Sequence, residues 1–104
     1  MKKVMYFLNP EFKEKSNITV RRGPKWSSCL ETIEVRDIYG KILGETEIVQ
    51  TMSIKFCEMP KPALKLNHDP NCRTYDGLLN MMRKVYPQFQ ENEIVTLVFF
   101  NKVG

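Results

Sequence analysis

Thr19 and Arg21 stand two positions apart in Asn17-Ile18-Thr19-Val20-Arg21-Arg22. Side chains alternate along an extended segment, so the hydroxyl and the guanidinium fall on one face. They form a recognition pair: the planar fork of Arg21 suits a phosphate or a base edge, and the Thr19 hydroxyl suits a sugar or a carbonyl. Arg22, Lys25 and Trp26 follow around Gly23-Pro24. They add positive charge and an indole on which a base can stack, an effect worth roughly 1–3 kcal/mol per base in single-strand binders. The plainer alternatives are that Trp26 fills the core and that Arg21 pairs with a surface carboxylate. The clustering of these groups favours binding.

His68, the single histidine, precedes Cys72 by four residues. That spacing raises two chemistries, half a zinc site and a Cys–His nucleophile pair. A structural zinc takes about four ligands, and Cys57 offers at best a third at an unsuitable spacing, so no metal is expected. Pro70 interrupts the regular helix that would face His68 and Cys72 together. A capped turn over His68-Asp69-Pro70 is the better reading, and a place for His68 on the wall of a ligand cleft is the next. Cys29, Cys57 and Cys72 are odd in number with no Cys-x-x-Cys pair, which points to free, partly buried thiols in a reducing compartment.

The formal net charge of +4 is unevenly placed. Residues 1–26 carry Lys2, Lys3, Lys13, Lys15, Arg21, Arg22 and Lys25 against Glu11 and Glu14, a net of +5, which leaves −1 for residues 27–104. Such a patch attracts phosphates and other anions over a Debye length of about 8–10 Å. Its bland counterpart is a solvated segment that only aids solubility.

The elements that must position these groups can be read from pattern. With 104 residues, 42% hydrophobic and 27% charged, the expectation is one domain, residues 1–104, burying roughly 60–70% of its unfolded surface. The apolar run at the N-terminus ends at Asn9-Pro10, too early for a signal peptide, and nothing reaches membrane-spanning length. A cytoplasmic protein is therefore expected. Residues 3–8 read as a first strand. Asn9-Pro10-Glu11 has the chemistry of a helix start, predicting a short helix over residues 10–15. Residues 17–22 alternate as a half-buried strand with Ile18 and Val20 on one face. Leu30, Ile33, Val35 and Ile38 mark a third strand near the turn at residues 37–40, and residues 42–56 continue as one long strand or two bent ones, with Gly44 at a bulge. A short helix at most fits residues 63–66. The clearest helix covers residues 75–86, capped by Thr74 and ended by Pro87, with Leu78, Leu79, Met82, Val85 and Tyr86 along one stripe. Residues 94–100 are nearly all apolar, as in a strand buried on both faces at the centre of a sheet. The order predicts an α+β fold: a curved mixed sheet or small β-barrel flanked by two or three helices.

Several of these pieces together resemble the ASCH family, a PUA-like fold linked to RNA. The carriers are Ile18-Thr19-Val20-Arg21 with Arg22-Gly23-Pro24-Lys25-Trp26, the segment at residues 56–60, His68-Asp69, the helix ending in Val85-Tyr86-Pro87, and the closing strand at residues 94–100. The resemblance implies a barrel-like fold with a ligand cleft beside the strand that carries Thr19 and Arg21. It departs from the family's Gly-x-Lys-x-x-x-x-Arg pattern, in which Glu14 takes the Gly position, Ser16 the Lys position, and only Arg21 survives. Small bacterial members of the family are amidohydrolases that act on acetylated cytidine through a Lys, a Thr and a Glu. Thr19 falls on the Thr. Ser16 falls on the Lys with Lys15 beside it, and Gly77 on the Glu with Asp76 beside it.

Three functions follow as expectations. The leading one is a module that binds RNA, a nucleoside or a nucleotide through Thr19, Arg21, Arg22, Lys25, Trp26 and His68, with no cofactor. The second is an amidohydrolase for a modified nucleoside, with Thr19, Lys15 and Asp76 as catalytic candidates. That set needs distances near 3 Å in a closed pocket. The third is a protein-interaction module whose basic residues meet an acidic partner.

Overall fold

A computed structural model describes residues 3–104. Its strands are β1 (Val4–Phe7), β2 (Asn17–Arg22), β3 (Thr32–Asp37), β4 (Ile42–Lys55) and β5 (Ile94–Phe100), and its helices are α1 (Lys61–Leu64) and α2 (Tyr75–Val85). Two single 3-10 turns, Phe56–Glu58 and Pro70–Cys72, lie between them. The strands form one mixed sheet in the order β1-β3-β4-β5-β2. The β1–β3 pair is parallel and the other pairs are antiparallel.

The long strand β4 gives the sheet its curl. Its first part pairs with β3 and its second with β5, and the register shifts between Ile48 and Gln50 where the partner changes. A second shift lies opposite Gly44, between Val35 and Arg36. Gly44 has φ +144°, and a Cβ there would press on Val103 and Gly104 at 3.3 Å, so both the bend and the close approach call for glycine.

Alternation along β5 explains its apolar composition. Val95 and Leu97 face one core, built with Ile18, Phe56, Leu64, Leu78, Met82 and Phe89. Val98 and Phe100 face a second core, built with Met5, Phe7, Trp26, Ile33, Val35 and Ile48. The strand is buried on both faces, as its sequence predicts, but it lies one place from the edge and β4 is the central strand.

The structure corrects three further expectations. The sheet is open and does not close into a barrel, because β1 and β2 end it without pairing. Residues 10–15 form no helix. The Asn17 side chain accepts from Lys13 N at 2.7 Å and donates to Lys13 O at 3.1 Å, and the Glu11 carbonyl that a helix would use is taken by His68. The stripe on α2 is also shorter than its periodicity predicts: Leu78 and Met82 are buried, whereas Val85 and Tyr86 are exposed. The Thr74 cap is present, its hydroxyl accepting from Gly77 N at 3.1 Å. Among the described residues no helix is long and apolar enough to cross a membrane.

Candidate functional site

The gap between β1 and β2 is a cleft of about 200 Å³. Residues 6–9 form one wall, Thr19, Val20 and Arg21 the other, and α2 with the segment at residues 67–72 completes it. One hydrogen bond spans the opening: Arg21 Nη1 donates to Tyr6 O at 2.7 Å. The open seam and the hollow are thus the same feature.

Alternation on β2 places its side chains as the sequence predicts. Ile18 and Val20 pack with the helix-side core. Thr19 and Arg21 take the other face, where the Arg21 guanidinium lies 4.5 Å above the ring of Phe7. Arg21 Nε is buried without a hydrogen-bond partner, and among the described residues no carboxylate lies within ion-pair distance of Arg21. Burial pulls the guanidinium down to about 10, partly offset by Tyr86. It therefore stays charged at neutral pH while only partly compensated. Thr19 is 5% exposed, lines the cleft, and has no hydrogen bond to its hydroxyl among the described residues.

The β2 backbone contributes as well. Ile18 N donates to Leu66 O, and Ile18 O accepts from His68 N, both at 3.0 Å, so the main chain of Ile18 points away from β5. Main-chain groups alternate in direction along an antiparallel strand, so the N–H and C=O of Val20 point the same way, into the seam. The same two bonds pin residues 66–68 against β2 and bring His68 beside Thr19.

His68 is buried among Phe7, Phe12 and Phe100, with ring centroids 5.0, 5.4 and 6.3 Å away. Its Nδ1 lies 2.8 Å from Glu11 O. A carbonyl only accepts, so Nδ1 carries the proton and Nε2 keeps its lone pair in the neutral ring. Burial is the main cause that lowers its pKa, which favours that neutral form. Asp69 caps the following turn, its Oδ1 accepting from Asn71 N at 2.9 Å. The Cys72 thiol reaches Asp69 Oδ2 at 3.7 Å, and burial with the nearby carboxylate pushes it up to about 12. A thiol held protonated in this way is no nucleophile at neutral pH. Among the described residues no group of three or more His, Cys, Asp or Glu could hold a metal ion. The three cysteines are free, with Cys29 and Cys72 buried and Cys57 exposed.

The remaining sequence candidates separate. Arg22 bonds Glu93 Oε1 at 2.7 Å and lies 5.1 Å over the Tyr86 ring. Lys25 is exposed, with Nζ 5.7 Å over the indole of Trp26. Trp26 is 7% exposed and belongs to the second core. Lys15 borders a separate shallow hollow with Lys13, Glu14, Ser16 and Leu66, and Asp76 is exposed on the first turn of α2. Neither lines the cleft that holds Thr19, so the three catalytic candidates do not assemble.

Residues that sequence reasoning missed complete the rim. Tyr6 is 50% exposed, Val85 48% and Tyr86 36%, and all three line the cleft with Asn67 and Asp69. Their only sequence signal is aromatic or apolar character at the end of an element, which a core residue shares.

No family model matches the sequence, and no curated protein matches it either. Among solved structures, the crystal structure of an ASCH domain from Lactobacillus crispatus JV V101 superposes on 86% of this chain with a TM-score of 0.62 at 15% sequence identity. The fold is ASCH-like. This chain matches 64% of the length of that domain. Within the ASCH-like fold, position 77 is closed to any side chain: a Cβ there would fall inside contact distance of the Asn71 carbonyl oxygen and 2.9 Å from Thr74 Oγ1. Position 16, like Lys15, lies outside the cleft.

Proposed function

We propose that this domain binds a nucleotide or RNA by receiving one base in the seam between β1 and β2. The observation that carries the reading is Arg21: a guanidinium fixed by one bond to Tyr6 O, with a buried, unpartnered Nε and no neighbouring carboxylate. Buried polar atoms are ordinarily satisfied, so an exception at the wall of a cleft marks a place for a ligand. Around it the seam offers the alternating chemistry of a base edge. The Val20 carbonyl and His68 Nε2 accept, Arg21 and Val20 N–H donate, and the Thr19 hydroxyl does either. At about 200 Å³ the cleft is smaller than the roughly 300–1,000 Å³ of drug-sized sites. It suits one base, with Tyr6, Val85 and Tyr86 against its faces.

The test is a titration of isotope-labelled protein with single ribonucleosides and with a short single-stranded RNA, followed by amide chemical shifts. Perturbations should map to Thr19, Val20, Arg21, His68 and Tyr86. Arg21→Met should weaken binding by about tenfold or more, as loss of a charge-assisted hydrogen bond predicts. Shifts confined to the β3–β4 face, or equal affinity in the variant, would remove the reading.

A further inference from the structure

A second hollow, of about 180 Å³, adjoins the cleft across Arg21. Tyr6, Arg21 and Tyr86 border both, so the guanidinium is part of a shared wall. The second hollow differs in charge. Its other polar borders are Arg22 and Lys25, and no Asp or Glu lines it among the described residues. Glu93 neutralises Arg22. Arg21 and Lys25 have no carboxylate within ion-pair distance among the described residues. Counting Arg21, Arg22 and Lys25 against Glu93 leaves a local charge of +2, which matches the charge of about −1.5 to −2 on a phosphate monoester at neutral pH.

We infer that this second hollow is a phosphate subsite, and that the ligand is a phosphorylated nucleoside, either a free monophosphate or the phosphorylated terminal unit of an RNA strand. The inference rests on the reading of the seam as a base site and deepens it. Arg21 serves both compartments, because its fork is fixed on Tyr6 O and its positive charge lies between them. Lys25 serves the second alone: it borders the basic hollow and is absent from the cleft. Its ammonium lies 5.7 Å over the Trp26 indole, and as a point charge it can recruit phosphate without fixed geometry. The apolar core position of Trp26 then supports Lys25 instead of stacking a base.

Calorimetric titrations can separate the two compartments. The probes are the four ribonucleosides, their 5′- and 3′-monophosphates, and inorganic phosphate, each against wild type and Lys25→Ala at low and high salt. Lys25 is exposed, so its replacement leaves the fold intact. At least one monophosphate should bind about tenfold or more tightly than its nucleoside, and this advantage should shrink with salt. Lys25→Ala should remove most of the advantage and leave nucleoside affinity unchanged. A nucleoside that binds as well as its phosphates, or an advantage that survives Lys25→Ala, overturns the phosphate subsite and leaves the base site standing. Absence of binding by every nucleoside and nucleotide overturns both. The same pair of proteins with 5′-phosphorylated and 5′-hydroxyl RNA tells a strand end from a free nucleotide.

Discussion

Strands β4 and β5 are joined by a ladder of pairs from Ile48 with Phe100 to Lys55 with Ile94, shifted once in register between Ile48 and Gln50, whereas β1 and β2, at the two ends of the same sheet, are bridged by the Arg21 to Tyr6 bond. Along that ladder the β5 side chains Val95, Leu97, Val98 and Phe100 are apolar and buried. Where it is missing, a hydroxyl, a guanidinium, an imidazole and a carboxylate stand among apolar side chains, and Arg21 Nε lacks a partner. The sealed side supplies folding free energy; the open side keeps its polar groups available at some cost in stability. The arginines repeat the contrast at adjacent positions, with Arg22 neutralised by Glu93 and Arg21 left unpaired.

The largest effect is expected on the sealed side. Phe100 is 1% exposed and packs against Phe7 at 5.8 Å. Phe100→Ala should lower the free energy of unfolding by about 3–5 kcal/mol in urea denaturation, through lost transfer free energy and the cavity left behind. A cost below 1 kcal/mol would mean that this core is loosely packed.

Gly77→Ala should come next. The added methyl meets backbone, the Asn71 carbonyl, which cannot swing aside, so the helix or the turn at residues 70–72 must shift. Overpacking of this kind costs about 1–3 kcal/mol, and thermal melting would show it. Because that turn is capped by Asp69 at the cleft, ligand affinity should fall too. An unchanged melting temperature would show that the turn yields freely.

Arg21→Met inverts the pattern. Replacing a buried, half-satisfied polar group by an apolar one of similar shape is often close to neutral. Stability should change by about 1 kcal/mol or less even as binding is lost. A large loss of stability would assign Arg21 to holding the seam together instead of to a ligand.

What the sequence shows about this division follows from how far apart the interacting residues lie along the chain. The alternation of residues 17–22, the helix at residues 75–85 with its Thr74 cap, and the two-sided burial of residues 94–100 are local signals, and each was legible. The position of β5 beside rather than at the centre, and the failure of β1 to meet β2, depend on pairings between distant segments and carry no local mark. The absent helix at residues 10–15 has the same origin, since the Glu11 carbonyl is claimed by His68, 57 positions away. In the site, Thr19 and Arg21 were legible because a period of two settles which residues share a face. Tyr6, Val85 and Tyr86 were not, because an apolar side chain bordering a seam has the same sequence signature as one in a core. Trp26 shows the converse: a basic neighbourhood suggests a stacking surface, and its burial is decided by Ile33, Val35 and Ile48 arriving from elsewhere.

The smallest effect, and the one that reports on the seam most directly, is the pH dependence carried by His68. Burial lowers the pKa of its ring, and the charges of Arg21 and Arg73 lower it further, while the hydrogen bond to Glu11 O and the charge of Asp69 act the other way. The unfolded chain, with an ordinary histidine near pH 6.5, therefore takes up a proton before the folded chain does. Stability is highest above about pH 6.5 and declines as pH falls from there toward the lower folded value, because the unfolded state binds more protons in that window. Glu93, held below the usual carboxylate range by its bond to Arg22, begins to lose its contribution only at more acid pH than the point where the His68 window opens. Since His68 is the single histidine, urea denaturation of wild type and His68→Gln between pH 8 and 5 isolates its share. The variant should be less stable throughout but show a flatter slope between about pH 6.5 and 5. Ligand affinity should fall in wild type alone, and only as pH passes through the lower folded value, because protonation then turns Nε2 from an acceptor into a donor. Parallel stability curves for the two proteins would mean that the ring titrates alike in the folded and unfolded chains, and would withdraw the neutral acceptor from the open side of the sheet.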